Sequence, residues 1–391
     1  MTAVIVDAIR SPMGRGRQGG ALSGVHPVEL LATVLKALVA RNRVDPGRID
    51  DVIIGCVSQV GEQAATSRAA VLAAGFPQHV PATTIDRKCG SSQQAIHFAA
   101  QAVASGAYDI VIAGGVESMS RVPMGSARLD RDPYGPSVNT RYQPGLVSQG
   151  IAAELVAARW KIARDEMDAY AARSHRLAHQ AQQQGLFDAE LVPVDGERGP
   201  IERDETIRPG TNAADLGMLK PSFVDPATAA RFPEINWSVT AGNSSQITDG
   251  AAALLITSEK AANDLGLTPR ARFVAYDVRG DDPLLMLTAP VPATRRVLAK
   301  SGLSLNRIDH CEVNEAFASV PLMWQRETGA PLEQLNPCGG AIALGHPLGA
   351  SGARLMTTML NSLERTKGRY GLQTMCEAGG MANATIIERL D

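Results

Sequence analysis

Residues 48–93 read RIDDVIIGCVSQVGEQAATSRAAVLAAGFPQHVPATTIDRKCGSSQ, and residues 307–352 read RIDHCEVNEAFASVPLMWQRETGAPLEQLNPCGGAIALGHPLGASG. Both open on Arg-Ile-Asp, and the offset from that tripeptide to the expected start of a third helix, at Ser91 and Ala350, is the same. A tripeptide alone is weak. A shared order of elements at a shared offset predicts an internal duplication. In the first half, apolar runs predict strands at 3–9, 52–54, 82–85 and 110–113, with helices at 64–74 and 91–105. Pro27 opens a further helix with Val28, Leu31, Leu35 and Leu38 on one face. The second half repeats the order, with strands at 272–278, 311–313, 332–335 and 372–376 and helices at 293–301, 316–327 and 350–364. Such alternation predicts an α/β chain with a mostly parallel sheet covered on both faces.

One strand is displaced. Residues 252–257 (AALLIT) resemble 384–388 (ATIIE), the closing strand of the second half. In the second half a short Gly-rich turn precedes that strand; in the first, residues 118–247 intervene. The expected division is 1–118 (completed by 247–268), an insert at 119–246, and 269–391. The insert has polar, Pro/Gly-rich stretches at 130–144 and 195–210 around a helical segment at 151–184. A stretch this long needs structure of its own and is expected to cover a ligand site.

Composition narrows the function. The chain has 391 residues, 45% of them apolar, with 38 Lys+Arg against 40 Asp+Glu. That balance argues against a nucleic-acid or membrane-surface partner. No apolar run approaches a membrane span. The N-terminus lacks the pattern of a signal peptide, and the closing Glu-Arg-Leu-Asp matches no peroxisomal or ER-retention address, so a cytoplasmic enzyme is expected. The five cysteines form no CxxC pair, which suits a reducing compartment. The seven histidines do not cluster at ligand spacings, so no metal site is predicted.

The duplication places two chemically active residues at corresponding turns. Cys89 precedes the third helix of the first half, in Asp86-Arg87-Lys88-Cys89-Gly90-Ser91-Ser92. His346 precedes its counterpart, in Gly345-His346-Pro347-Leu348-Gly349. Helix N-termini favour anions, so Cys89 is expected to have a lowered pKa, helped by a nearby imidazole. Cys376 ends the last parallel strand, where ligands gather in such sheets. The glycine-dense run 339–352 lacks the Lys-Ser/Thr of a P-loop and the spacing of a dinucleotide fingerprint, which disfavours nucleotide-dependent chemistry. Cys56, Cys311 and Cys338 read as small buried hydrophobes. Asn314 could cap the following helix, and Lys220 or the insert's Arg121, Arg128, Arg131 and Arg141 could be solvated charge.

These residues resemble the successive signatures of thiolases. The matching segments are Cys89-Gly90-Ser91-Ser92, Thr240-Ala241-Gly242-Asn243-Ser244-Ser245, Asp249-Gly250-Ala251-Ala252, Asn314-Glu315-Ala316-Phe317, Gly345-His346-Pro347 and Cys376-Glu377-Ala378-Gly379-Gly380. They run through the whole chain in order. The resemblance implies two βαβαβαββ halves in five αβαβα layers with an inserted loop domain. It implies thiolysis of a 3-ketoacyl-CoA: Cys89, deprotonated by His346, attacks the 3-keto carbon, and Cys376 protonates the leaving enolate and then activates CoA. His346 with a water on Asn314 would form one oxyanion hole, and the N–H groups of Cys89 and Ala378 the other. Lys220 and Ser245 match CoA contacts. No tightly bound cofactor is implied, only CoA as co-substrate, and the assembly implied is a homodimer or homotetramer.

Three departures bear on the reading. The nucleophile is followed by Gly-Ser-Ser where many relatives carry a second glycine. Ala378 replaces a usual glycine and would be strained where φ must be positive. Gln149 stands where biosynthetic acetoacetyl-CoA thiolases carry Met, which favours a longer or bulkier acyl group in the substrate pocket. Biosynthetic condensation of acetyl-CoA is the alternative reaction. A non-catalytic acyl-CoA-binding relative would be expected to lose part of the Cys–Asn–His–Cys set, and a decarboxylating ketosynthase would carry a second histidine in place of Cys376.

Overall fold

The computed structural model describes residues 1–390. The first half runs β1 (Ala3–Arg10), β2 (Gly14–Arg15), α1 (Pro27–Asn42), β3 (Asp51–Gly55), α2 (Thr66–Ala73), β4 (Ala82–Ile85), α3 (Ser91–Ser105) and β5 (Ile110–Ser118). The insert follows with α4 (Gly135–Arg141), α5 (Gln149–Arg159), α6 (Arg164–Gln183), β6 (Val194–Gly196), β7 (Gly199–Ile201), α7 (Ala213–Gly217) and α8 (Pro226–Arg231). β8 (Thr248–Ser258) and α9 (Glu259–Asp264) return to the first half. The second half has β9 (Ala271–Gly280), α10 (Pro290–Ser301), β10 (His310–Val313), α11 (Ser319–Thr328), α12 (Ala341–Leu344), α13 (Ser351–Thr366), β11 (Tyr370–Glu377) and β12 (Met381–Arg389).

The strands join in the order β10-β11-β12-β9-β1-β8-β5-β3-β4. The halves meet where β1 touches β9, through Val4–Arg272 and Ile5–Ala271. Between the two halves of this sheet lie α3 and α13. Ala95, Ile96, Ala99 and Val103 share one core with Ala353, Met356, Met359 and Leu360. On the outer faces, α1 and α2 bury Leu30, Leu35, Leu38 and Val71, and α10 and α11 bury Val297, Val320 and Trp324. The result is five layers, αβαβα. Each fully buried Leu, Ile, Val or Met side chain among these contributes roughly 1.5–3 kcal/mol.

The sheet is mixed rather than mostly parallel. β3 pairs parallel with β4 and β5, and β10 with β11. β8 runs antiparallel to β1 and β5, and β12 to β11 and β9. The cause is local: β12 follows β11 through the short turn 378–380 with no crossover helix, so the chain must reverse.

Other expectations shift for identifiable reasons. Residues 332–335 form a 3-10 turn, Leu332–Gln334, with a single bridge from Leu335 to Cys311, because Pro331 and left-handed Asn336 (φ 45°) bracket the segment. The expected helix at 316 starts at Ser319, because Ala316 and Phe317 extend to meet the insert: Ser245 N–H donates to the Ala316 carbonyl (2.9 Å) and Ser244 bridges Phe317. The long helix expected at 151–184 is two, α5 and α6, broken where Lys161 turns left-handed (φ 52°). Buried Arg10 ties the insert to β1 through Glu190 (2.6 Å) and Asp204 (2.7 Å).

Candidate active site

Cys89 sits just before Gly90, the N-cap of α3. The turn is held by Lys88 in the left-handed region (φ 49°) and by Ser91, whose Oγ accepts from Arg87 N–H (2.9 Å) and donates to the Lys88 carbonyl (2.6 Å). Such backbone conformations are costly for non-glycine residues and gather at functional sites. The Cys89 side chain is buried in a small apolar cluster with Met119, Leu348, Leu355 and Met375. Leu348 comes from the His346 turn and Met375 from β11, so residues of both halves close around the sulfur.

The expected lowering of the Cys89 pKa is overturned. Burial pushes the thiol up to about 12, the Glu377 charge adds to this, and the N–H groups of Ala378 and Cys89 itself oppose it only partly. Desolvation of a thiolate exceeds what one helix pole returns. The two N–H groups expected to form an oxyanion hole therefore converge on the Cys89 sulfur.

His346 is buried and neutral. Burial pushes its pKa down to about 3, and the Arg354 charge acts in the same direction. Its Nδ1 lies 2.6 Å from Ser351 Oγ, and that hydroxyl donates to the Pro347 carbonyl (2.8 Å). With its one proton so used, Ser351 Oγ must accept from Nδ1–H, which leaves Nε2 with a free lone pair. This hydrogen-bond network assigns the tautomer. The backbone N–H of His346 donates to Thr248 Oγ1 (3.1 Å). Gly345 is required here: its φ is +89°, and a Cβ would come within 2.2 Å of the same Thr248 oxygen.

Asn314 Nδ2 lies 3.4 Å from His346 Nε2, and Asn314 Oδ1 is buried without a hydrogen-bond partner among the described residues. Asn314 is not a helix cap, since α11 begins at Ser319 with Ala318 as its N-cap. Cys376, near the end of β11, is buried, with its pKa pushed well up by burial and then by the Cys89 and Glu377 charges. Ala378 does not occupy the left-handed region; the turn takes its positive φ at Gly379 (93°) and Gly380 (79°). The strain expected at Ala378 is absent.

The remaining expected residues lie on the insert side. Ser245 is half-buried and tied to Ala316; Lys220 is exposed. The two share a neighbourhood, because the Gly242 turn packs on Leu216 and Leu219. Gln149 begins α5 and is half-buried. Its neighbour Gly150 rests on the Phe223 ring, which meets Phe317 edge-on at 6.1 Å. Among the described residues, no group of three or more His, Cys, Asp or Glu could hold a metal ion, and no helix is long and apolar enough to cross a membrane.

Profiles of the thiolase N-terminal and C-terminal domains match residues 3–260 and 267–389. The chain belongs to the thiolase family. This thiolase is 47% identical to the steroid 3-ketoacyl-CoA thiolase FadA6 of Mycobacterium tuberculosis, over 99% of this chain and 94% of that protein. It is 45% identical to a beta-ketoadipyl-CoA thiolase of Escherichia coli, over 99% of both. The crystal structure of the Bacillus anthracis acetyl-CoA acetyltransferase superposes with a TM-score of 0.88 at 38% identity, covering 100% of this chain and 99% of that one. The chain is thus an acyltransferase of the thiolase class.

Sequence reasoning passed over several groups in this thiolase. Ser351 sits in the run quoted for its glycines, yet it orients the imidazole. Glu117, wholly buried, accepts from the N–H groups of Val57 (2.9 Å), Ser58 (3.0 Å) and Gly349 (2.9 Å) and from Gln63 Nε2 (3.0 Å). It thereby fixes the His346 turn to the first half. Glu315 binds Tyr170 (3.0 Å) and Ser174 (2.6 Å) of α6, anchoring the Asn314 strand end to the insert. None of these carries a sequence signal beyond its place beside a motif residue.

Proposed function

We propose that this thiolase cleaves 3-ketoacyl-CoA with CoA, through an acyl-Cys89 intermediate, to give acetyl-CoA and a shortened acyl-CoA. The observation that carries the reading is the neutral His346 with Nε2 unprotonated and 3.4 Å from Asn314 Nδ2, at the seam that also buries Cys89 and Cys376. His346 Nε2 takes the Cys89 proton as the sulfur attacks the 3-keto carbon. The C2–C3 bond breaks, and the acetyl-CoA enolate takes its proton from the Cys376 thiol. The Cys376 thiolate then takes the proton of the incoming CoA thiol, whose sulfur displaces Cys89 from the acyl group, and His346 returns its proton to Cys89. The donors for the developing oxyanions are His346, once it has taken the Cys89 proton, with a water held by Asn314 on one side and the Cys89 and Ala378 N–H groups on the other.

Lys220 and Ser245 are assigned to CoA, and Gln149 to the acyl pocket. Residues 1–118 with 247–268, and 269–391, are the catalytic halves, and 119–246 is the cover of the CoA site. CoA serves as co-substrate with no tightly bound cofactor. The site of action is the cytoplasm and the assembly a homodimer or homotetramer, which β4 at the open end of the sheet supports. The names of the steroid and beta-ketoadipyl relatives favour a bulky or substituted acyl group. The second reading, biosynthetic acetoacetyl-CoA formation, is favoured by the acetyl-CoA acetyltransferase likeness. Thiolysis assays of wild type and Cys89→Ala over 3-ketoacyl-CoA chain lengths and one steroid side-chain substrate test this. Activity rising with acyl size and lost in the variant is expected; activity confined to acetoacetyl-CoA supports the biosynthetic reading.

A further inference from the structure

Glu377 has no task in the thiolysis scheme, yet it lies inside the site. It follows Cys376 at the end of β11 and is wholly buried. Neither carboxyl oxygen has a hydrogen-bond partner among the described residues. The carboxyl rests on Gly90, where an added Cβ would lie 2.0 Å from Oε1 and 2.7 Å from the carboxyl carbon. Gly90 is the N-cap of α3 and the residue after the nucleophile. Two groups able to become anions, the Cys89 thiol and the Glu377 carboxyl, therefore share one helix pole in a water-poor pocket.

We propose that this pole holds one negative charge at a time, so that Cys89 becomes a thiolate only while Glu377 keeps its proton, making Glu377 a positioning residue that sets the nucleophile's reactivity. The inference rests on Cys89 as the nucleophile. Like charges held close in low dielectric cannot both form without a large cost. Burial pushes the Glu377 carboxyl up to about 8; the Arg87 charge and then the nearby Asn383 N–H, which is not within hydrogen-bond geometry of either oxygen, oppose it, and Asp86 is a minor influence in the same direction as burial. At neutral pH the carboxyl is protonated, and its charge weighs on Cys89 only as pH rises past that point. Other charged or titratable groups face the pair: Asp86, Arg87 and Lys88 in the turn before α3, Glu117 at the end of β5, Cys376 on β11 and His346 across the seam. Lys88 is paired with Asp86 (2.6 Å), and the Glu117 carboxyl is held by four donors. A single change at Glu377 separates its effect from theirs.

The test is alkylation of Cys89 by iodoacetamide, in which the thiolate displaces iodide, followed between pH 6 and 10 by mass spectrometry of the Cys89 peptide. Wild type, Glu377→Gln and Cys89→Ala are compared as full-length proteins. The wild-type rate is expected to flatten above pH 8, while the Gln variant keeps rising, reaching about tenfold faster modification at pH 9 for one unit of thiol pKa. Superimposable profiles overturn the proposal and leave Cys89 as nucleophile. No Cys89 modification in either protein at any pH, with wild-type thiolysis intact, overturns the nucleophile reading itself. Should Glu377→Gln not fold, the wild-type profile decides alone: a rate that climbs through pH 8 without a break overturns the proposal.

Discussion

Ser351 shows what one hydroxyl does to an imidazole. By accepting from Nδ1–H it fixes the tautomer whose Nε2 can take a proton, and the same bond strengthens as His346 becomes charged. A hydrogen bond to a charged group is worth about 1.5–3 kcal/mol, so Ser351→Ala is expected to lower kcat by roughly 10- to 100-fold. KM should change little, and Ser351→Thr should restore much of the loss; steady-state kinetics of the three proteins check this. Ala378 makes the opposite case. It is a departure from the family's usual glycine, yet its φ is not positive. Ala378→Gly is therefore expected to keep activity and lose roughly 0.5–1 kcal/mol of stability through added chain entropy, measurable by denaturant unfolding. At this scale Cys89, His346, Cys376 and Asn314, the groups proposed to react, could be picked out from the motifs. The groups that orient them were not: Thr248 and Glu117 act through contacts between segments far apart in the chain, and Ser351, only five residues from His346, through a turn geometry that its residue type does not announce.

At the level of elements, strands and helices with a strong apolar period were readable, while ends and short segments were decided by neighbours. The start of α11 moved because Ala316 and Phe317 reach across to the insert, and the weak strand at 332–335 yielded to flanking proline and a left-handed asparagine. Direction of pairing was misread because β12 follows β11 through a short turn with no crossover helix, and β8 takes the corresponding antiparallel place in the first half. The turn before α13 depends on a single backbone conformation at Gly345. A methyl there would demand a left-handed backbone and meet Thr248 Oγ1. Strain of this kind costs about 1–3 kcal/mol. Gly345→Ala is thus expected to lower the melting temperature and, by displacing His346, to reduce thiolysis more than it reduces CoA-ester binding; calorimetry beside a binding titration separates the two.

The duplication read from two tripeptides and a shared offset governs the whole molecule, since it brings α3 and α13 together and their preceding turns to one seam. What the sequence could not display is how the halves are joined in polar detail. His97 of α3 is wholly buried between them, its Nε2 2.7 Å from Thr385 Oγ1 and its Nδ1 3.1 Å from Asn383 Nδ2 on β12. Burial pushes its pKa down to about 3, with the Arg87 and Lys300 charges acting the same way. The folded protein thus keeps this ring neutral where the unfolded chain would protonate it below about pH 6.5. Stability tied to His97 is fully present above that pH and is lost as pH falls toward 3, at up to about 1.4 kcal/mol per pH unit. His97→Gln retains a donor and an acceptor but cannot titrate. The difference in unfolding free energy between wild type and variant, measured in urea from pH 7.5 to 5, is expected to shift by roughly 2 kcal/mol in the variant's favour across that range. A difference that does not vary with pH would mean that His97 titrates alike in the folded and unfolded chain, and that its burial between the halves does not hold the ring neutral.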